Sequence, residues 1–154
     1  MSSLDTSHPH PARRYNYWLG GKDHFEVDRE SGDEIARVFP AVVAAARENR
    51  RWVERVVDWL AEHGVRQFID VGCGLPVEPY VHEIAARHDP QVTVVYVDNE
   101  PLVMTHARAL MNSVPPAVTL FVEGDLADPP SVLPALARLD PHQPVALLLA
   151  AVVH

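Results

Sequence analysis

The sequence predicts an α/β fold in which a doubly wound, mostly parallel sheet follows an N-terminal helical extension. From residue 65 onward, short apolar runs alternate with segments of helix length, which is typical of right-handed βαβ crossovers. The first apolar run ends in an Asp-x-Gly-x-Gly stretch at residues 70–74, and an acid closes each of the next two runs. We therefore expect an N-terminal arm with helices in residues 1–64 and a four-stranded core in residues 65–154.

The beginning of the chain contains an unusual aromatic and glycine-rich stretch. Residues 1–14 lack apolar periodicity and predict an irregular arm, whereas residues 15–25 combine aromatic side chains with Gly-Gly and Lys-Asp. Glycine lets backbone approach a ligand, aromatic rings can stack on a base, and lysine can meet a carboxylate. This segment either closes over a ligand or is simply pinned to the domain by its aromatic rings. Its candidate binding residues are Tyr17, Gly21, Lys22 and Asp23.

Two helices are expected before the core. The first spans residues 27–38, and the second begins near Pro40, which suits a first helical turn, and stops at Gly64. The alternation then predicts four strands and three helices: strands at 67–71, 92–97, 118–122 and 145–153, and helices at 77–88, 101–111 and 131–139. The second strand is largely apolar, as expected for a parallel strand buried on both faces.

Polar residues follow three of these strands. Asp70, Asp98 and Asp125 stand at strand ends that meet on one edge of a doubly wound sheet. A carboxylate after the second strand can accept both hydroxyls of a ribose, and one after the third can accept an adenine amino group. The alternative is that these acids solvate loops or cap helices. The set predicts an adenosine site whose further candidates are Gly72, Cys73, Gly74, Asn99 and Leu126.

The turn chemistry separates two adenosine ligands. A pyrophosphate is typically bound by three glycines in G-x-G-x-x-G, but the third glycine is missing here, and Glu78 would repel a phosphate. A cofactor that carries an ammonium and a sulfonium suits an acidic edge better. The sequence therefore favours S-adenosylmethionine over NAD, with a NAD- or nucleotide-binding oxidoreductase as the alternative.

Composition limits the partners and the location. The 154 residues carry a formal net charge of −8, which argues against a protein that grips nucleic-acid phosphates. The apolar run at 145–153 is too short to span a bilayer, so no membrane partner is expected. His8 and His10 lack a third ligand nearby, so no metal site is expected. Cys73 is the only cysteine, which excludes an intrachain disulfide and suggests a cytoplasmic protein. We expect Cys73 to be a small residue that fills the glycine turn rather than a reactive thiol.

The strand-end pattern resembles the class I S-adenosylmethionine-dependent methyltransferases, which implies a Rossmann-like fold. More closely, the whole chain is similar to a bacterial S-adenosyl methyltransferase family. The matching stretches are residues 10–13, 15–25 with Gly-Gly-Lys-Asp, 44–50, 67–76, 94–101 and 144–154. The resemblance implies methyl transfer to an acceptor that it does not name, and we expect a small molecule. It places Asp70 near the methionine amino group, while Lys22 and Asp23 bind the methionine end or order an arm that covers the cofactor.

The end of the chain departs from this family. Family members continue beyond the position that matches His154, so we expect this chain to lack a C-terminal part. Strand four would then be an apolar sheet edge that pairs with a second copy, giving a homodimer, or aggregates. A non-catalytic cofactor-binding fragment is therefore an alternative function. His154 is a candidate catalytic base because a histidine follows strand four in similar O-methyltransferases, although it could also cap the strand.

Overall fold

The computed structural model describes residues 6–152. Its helices are α1 (Pro11–Trp18), α2 (Glu26–Val38), α3 (Val42–Glu62), α4 (Val81–Ala86), α5 (Pro101–Leu110) and α6 (Pro129–Leu136). Its strands are β1 (Gln67–Val71), β2 (Thr93–Asp98), β3 (Val118–Glu123) and β4 (Val145–Leu148). The chain divides into two compact units between Trp52 and Val53, within α3. The domain boundary between residues 64 and 65 stays a prediction.

The N-terminal unit begins with a helix that the sequence did not predict. Pro11 occupies the first turn of α1, and the His10 side chain accepts the Ala12 N–H at 3.3 Å, which caps the helix. The buried Arg13 Nε lies 3.0 Å from Asp28 Oδ2 and thereby ties α1 to α2. The prediction of an irregular arm is thus wrong from Pro11 onward, because the helix depends on a cap and a distant ion partner rather than on apolar periodicity.

The four strands form one parallel sheet in the order β3-β2-β1-β4. Ile69 and Val95 are register partners, and their face of the sheet packs against Ala135 of α6. On the opposite face, Tyr96 of β2 contacts His82 of α4. Helices therefore lie on both faces of a parallel sheet, which confirms the predicted doubly wound, Rossmann-like fold.

Two elements are at least four residues shorter than the sequence predicts. Helix α4 begins at Val81 rather than at residue 77, because Pro79 restricts the residue before it to extended backbone. Strand β4 ends at Leu148 rather than at residue 153. Its ladder pairs with residues 67–70 of β1 and stops where the chain of β1 enters its glycine turn.

Strand β4 forms one border of the sheet. It pairs with β1 on one side, and no strand within residues 6–152 pairs with its other side. Val145, Leu147 and Leu149, at alternate positions, are exposed, and Leu147 is 58% exposed. Among the described strands, β4 thus borders the sheet with apolar side chains exposed, and its pairing with a second copy stays a prediction. None of the helices in residues 6–152 combines the length and the hydropathy that a membrane-spanning helix needs.

Candidate functional site at the carboxyl edge of the sheet

A glycine turn follows β1 and lies against β2. Gly72 and Gly74 have φ values of 66° and 68°, a left-handed backbone that favours glycine. The Gly72 and Cys73 N–H groups both donate to Val97 O, at 2.7 and 3.1 Å, which fixes the turn on the neighbouring strand. A Cβ on Gly74 would meet no atom within 4 Å, so open space adjoins the turn there.

Gly72 has a different reason to be glycine. A Cβ at this position would stand 2.0 Å from Val152 Cγ1, in the segment that follows β4. The sequence predicted that both glycines admit a ligand. Among the described residues, the space beside Gly72 is taken by Val152, whereas the space beside Gly74 is open.

Asp98 ends β2 and holds the glycine turn. The residue is 6% exposed; its Oδ2 accepts the Gly74 N–H at 2.9 Å, and its Oδ1 accepts the Glu100 N–H at 3.0 Å. Each carboxylate oxygen has two acceptor positions, so Asp98 keeps capacity for hydroxyl donors. The Glu100 contact was not among the features predicted from the sequence, although an aspartate that accepts the N–H two residues on is a common turn motif.

Cys73 lies in the field of two carboxylates. Burial raises the pKa of its thiol well above the ordinary value, and the charges of Asp70 and Asp98 raise it further. A protonated thiol is a poor nucleophile. The structure therefore supports Cys73 as a small residue that fills the turn. Asp70, which is 8% exposed, lies on the same acidic edge.

The ends of β2 and β3 are also joined. Asn99 Nδ2 donates to Asp125 Oδ2 at 3.0 Å, and the Ala127 N–H donates to Asp125 Oδ1 at 2.8 Å. The Ala127 N–H and the Asn99 amide together lower the pKa of the Asp125 carboxyl, which is therefore ionised at neutral pH. Leu126, 40% exposed, follows directly. The structure thus places every candidate from the three strand ends along one edge.

The chemistry of this edge fits a cation with hydroxyl and amino groups. Carboxylates accept hydrogen bonds and attract positive charge, and the open space at Gly74 adjoins the Asp98 carboxylate. The exposed Glu78 near the start of α4 disfavours a phosphate. Among the described side chains, no group of three or more His, Cys, Asp or Glu is arranged to hold a metal ion.

The N-terminal candidates form a compact loop within their own unit. Asn16, which the sequence analysis missed, organises it: its Oδ1 accepts the Asp23 N–H at 3.1 Å, and its backbone oxygen accepts the Gly21 N–H at 2.9 Å. A Cβ on Gly21 would stand 2.3 Å from Asn16 Nδ2, so only glycine fits beside this buried amide. The loop leaves the Lys22 side chain exposed.

Tyr17 makes its contacts inside the same unit. Its hydroxyl donates to Asp33 Oδ1 at 2.8 Å, and its ring meets the His24 ring edge-on at 5.1 Å between centroids. Such contacts are what a segment pinned by its aromatic rings would make. The roles of residues 17–23 in cofactor binding, and the closure of residues 15–25 over the cofactor, stay predictions. His154, the candidate base, lies outside the described residues.

Comparison with known proteins connects this fold and edge to one family. The chain is similar to a DUF574 family protein of known crystal structure from Streptomyces avermitilis MA-4680, with 45% identity and a TM-score of 0.88 over 94% of this chain and 56% of that one. It is also similar to a "putative methyltransferase" of known crystal structure from Thermobifida fusca YX, with 40% identity and a TM-score of 0.87 over 97% of this chain and 57% of that one. No curated protein matches it.

The chain spans a little over half the length of these two solved proteins. The family profile described as S-adenosyl methyltransferase matches residues 1–154. This match extends over both compact units and includes the glycine turn and all three acidic strand ends. The chain therefore belongs to the S-adenosyl methyltransferase family.

Proposed function

We propose that the edge formed by β1, β2 and β3 binds S-adenosylmethionine and that the protein transfers its methyl group to a small-molecule acceptor. One observation carries the proposal: the Asp98 carboxylate, at the end of β2, is held against the glycine turn by the Gly74 N–H at 2.9 Å. A ribose acceptor and a glycine turn with open space beside it then occur together at the carboxyl edge of a parallel sheet, where ligands of this fold bind.

Each strand end has a distinct role in this proposal. Asp98 accepts the ribose hydroxyls, and Gly74 provides room for close approach of the cofactor. Asp70 attracts the methionine ammonium, directly or through water. Asp125, which is ionised, accepts the adenine amino group beside Leu126. The acidic edge supports a sulfonium cofactor rather than a dinucleotide, whose pyrophosphate would meet carboxylates.

When bound, S-adenosylmethionine supplies an electrophilic methyl group, whose bond to sulfur breaks as its bond to the acceptor nucleophile forms. The protein's part in such a displacement is to hold the two reactants in line, because proximity and orientation lower the barrier. Asp98 and Asp125 contribute by fixing the adenosine. An acceptor hydroxyl also has to lose its proton, and His154 remains our candidate for that base.

The acceptor class rests on charge. A formal net charge of −8 supports a small molecule rather than a nucleic acid, whose phosphates the protein would repel. The single cysteine supports a cytoplasmic location, where thiols stay reduced. A domain that binds the cofactor without transferring its methyl group is the second candidate function.

Calorimetric titration tests the cofactor. The protein should bind S-adenosylhomocysteine and S-adenosylmethionine, with no heat of binding from NADH. Binding of NADH instead of S-adenosylhomocysteine would overturn the proposal in favour of an oxidoreductase. Incubation with methyl-labelled S-adenosylmethionine and the small-molecule fraction of a cell extract then separates the two functions: labelled product supports the enzyme, and binding without product supports the cofactor-binding domain.

Protease protection tests the arm. If residues 15–25 close over the cofactor, trypsin should cut after Lys22, which is exposed in this structure, more slowly when S-adenosylhomocysteine is bound. Arg138, which is exposed in the turn that follows α6, provides an internal control for the protease itself. Equal cleavage after Lys22 in both conditions would favour a segment that is merely pinned by its aromatic rings.

A further inference from the structure

The Asn99 side chain connects the ends of β2 and β3. Its Nδ2 donates to Asp125 Oδ2 at 3.0 Å, across 26 residues of sequence. Asn99 is exposed, whereas its neighbour Asp98 is buried. The cap residue of α5 is Glu100, so Asn99 does not cap that helix. The contact therefore acts on Asp125.

Asp125 is restrained at its backbone and at both carboxylate oxygens. Its backbone N–H donates to Ser131 Oγ at 2.8 Å, and Ser131 Oγ lies 3.2 Å from Asp125 O. The Ala127 N–H fixes Oδ1 at 2.8 Å, and the Asn99 amide fixes Oδ2. Without Asn99, the carboxylate would keep one side-chain restraint and could rotate about its terminal torsion, which has a broad energy well.

We propose that Asn99 is a positioning residue that makes Asp125 select the 6-amino group of adenine over a 6-oxo group. The inference rests on the proposed function, because it concerns the base of the same cofactor. An ionised carboxylate only accepts hydrogen bonds, so it attracts an amino donor and repels a carbonyl oxygen. Holding Oδ2 in one orientation converts that chemical preference into selectivity, since a rotating carboxylate could turn away from the oxo group.

Two ligands that differ only at this group measure the selectivity. We would titrate S-adenosylhomocysteine and S-inosylhomocysteine, its 6-oxo analogue, into wild type and Asn99→Ala. Wild type should prefer the adenosine ligand by at least about tenfold, the ratio expected from one charged hydrogen bond. Asn99→Ala should reduce the preference to about threefold or less, with a melting temperature close to wild type because the side chain is exposed.

Asn112→Ala is the matched control. Asn112 is also an exposed asparagine whose Nδ2 donates to an oxygen, Ala109 O at 3.2 Å, but it lies beyond the end of α5. This variant should keep the full preference of wild type. A loss of preference in both variants would attribute the effect to general loosening and overturn the role of Asn99.

A second variant tests the contact through the pH dependence of the ligand preference, which a purely structural residue would not change. Asn99→Asp places a second carboxylate beside Asp125 Oδ2, and the pair then titrates in two steps, because repulsion between the two charges raises the pKa of one of them. As the pH is lowered, the variant should therefore lose its preference for the adenosine ligand at a higher pH than wild type does. An unchanged pH profile would overturn the proposed contact.

The two proposals fail in different ways. If wild type binds neither ligand, the proposed function fails and the role of Asn99 falls with it. If wild type binds S-adenosylhomocysteine but Asn99→Ala keeps the full preference, the proposed function stands and the inference about Asn99 is wrong.

Discussion

Replacement of Asp98 by alanine should weaken both the fold and cofactor binding, by amounts that the structure allows us to work out. Asp98 is buried, and its carboxylate accepts two backbone N–H groups, from Gly74 and Glu100. Hydrogen bonds to a charged acceptor contribute about 1.5 kcal/mol each, so the free energy of unfolding should fall by about 3 kcal/mol. For a chain of this size, that corresponds to a melting temperature lower by about 10 °C.

Binding should fall independently of stability. Without the carboxylate, the two ribose hydroxyls lose their acceptor, and the affinity for S-adenosylhomocysteine should fall by about 100-fold. Differential scanning fluorimetry measures both effects, because a ligand selective for the folded state raises the melting temperature. The rise with S-adenosylhomocysteine should be clear in wild type and nearly absent in Asp98→Ala, each compared with its own ligand-free protein.

Val57→Ala separates the two effects. Val57 is fully buried in α3, and its truncation should cost about 2.5 kcal/mol of stability without touching the carboxyl edge. This variant should melt nearly as early as Asp98→Ala but keep the full rise with S-adenosylhomocysteine. A full rise in Asp98→Ala would refute the ribose assignment, and an unchanged ligand-free melting temperature would refute the energy assigned to the two backbone contacts.

Three further predictions concern the rest of the protein. Burial lowers the pKa of His82, whose Nδ1 lies 2.9 Å from the Tyr96 hydroxyl. The unfolded-state pKa of a histidine is about 6.5, so below that pH the imidazole of residue 82 takes up a proton in the unfolded chain but not in the folded one. The melting temperature of wild type should therefore fall between pH 7 and pH 5, and it should fall by more than that of His82→Gln. If the exposed edge of β4 pairs with a second copy, Leu147→Lys should reduce the association that light scattering measures. A wild type that stays monomeric at high concentration would contradict this pairing. Gly21→Ala should lower the melting temperature because its methyl group would meet the Asn16 amide. The loss of melting temperature should be smaller when Gly21→Ala is made in the Asn16→Ala variant. An equal loss in both proteins would show that the strain does not come from the Asn16 amide.

The core of this protein could be predicted from its sequence because parallel strands leave a strong local signal. The apolar runs of β1 and β2 are buried and that of β3 is half-buried, and the predicted limits of all three strands agree with the structure to within one residue. The topology of parallel βαβ units then brings Asp70, Asp98 and Asp125 to one edge without any knowledge of individual contacts.

Tertiary structure alone decided the features that depend on distant partners. Helix α1 depends on Arg13 meeting Asp28, and β4 ends where its partner β1 turns away. The Asn99 amide reaches Asp125 only after β2 and β3 pair, across 26 residues that carry no periodic signal for this contact. Local sequence encodes which residues are apolar and where backbone can turn, whereas hydrogen bonds between strand ends are specified only when the sheet brings those ends together.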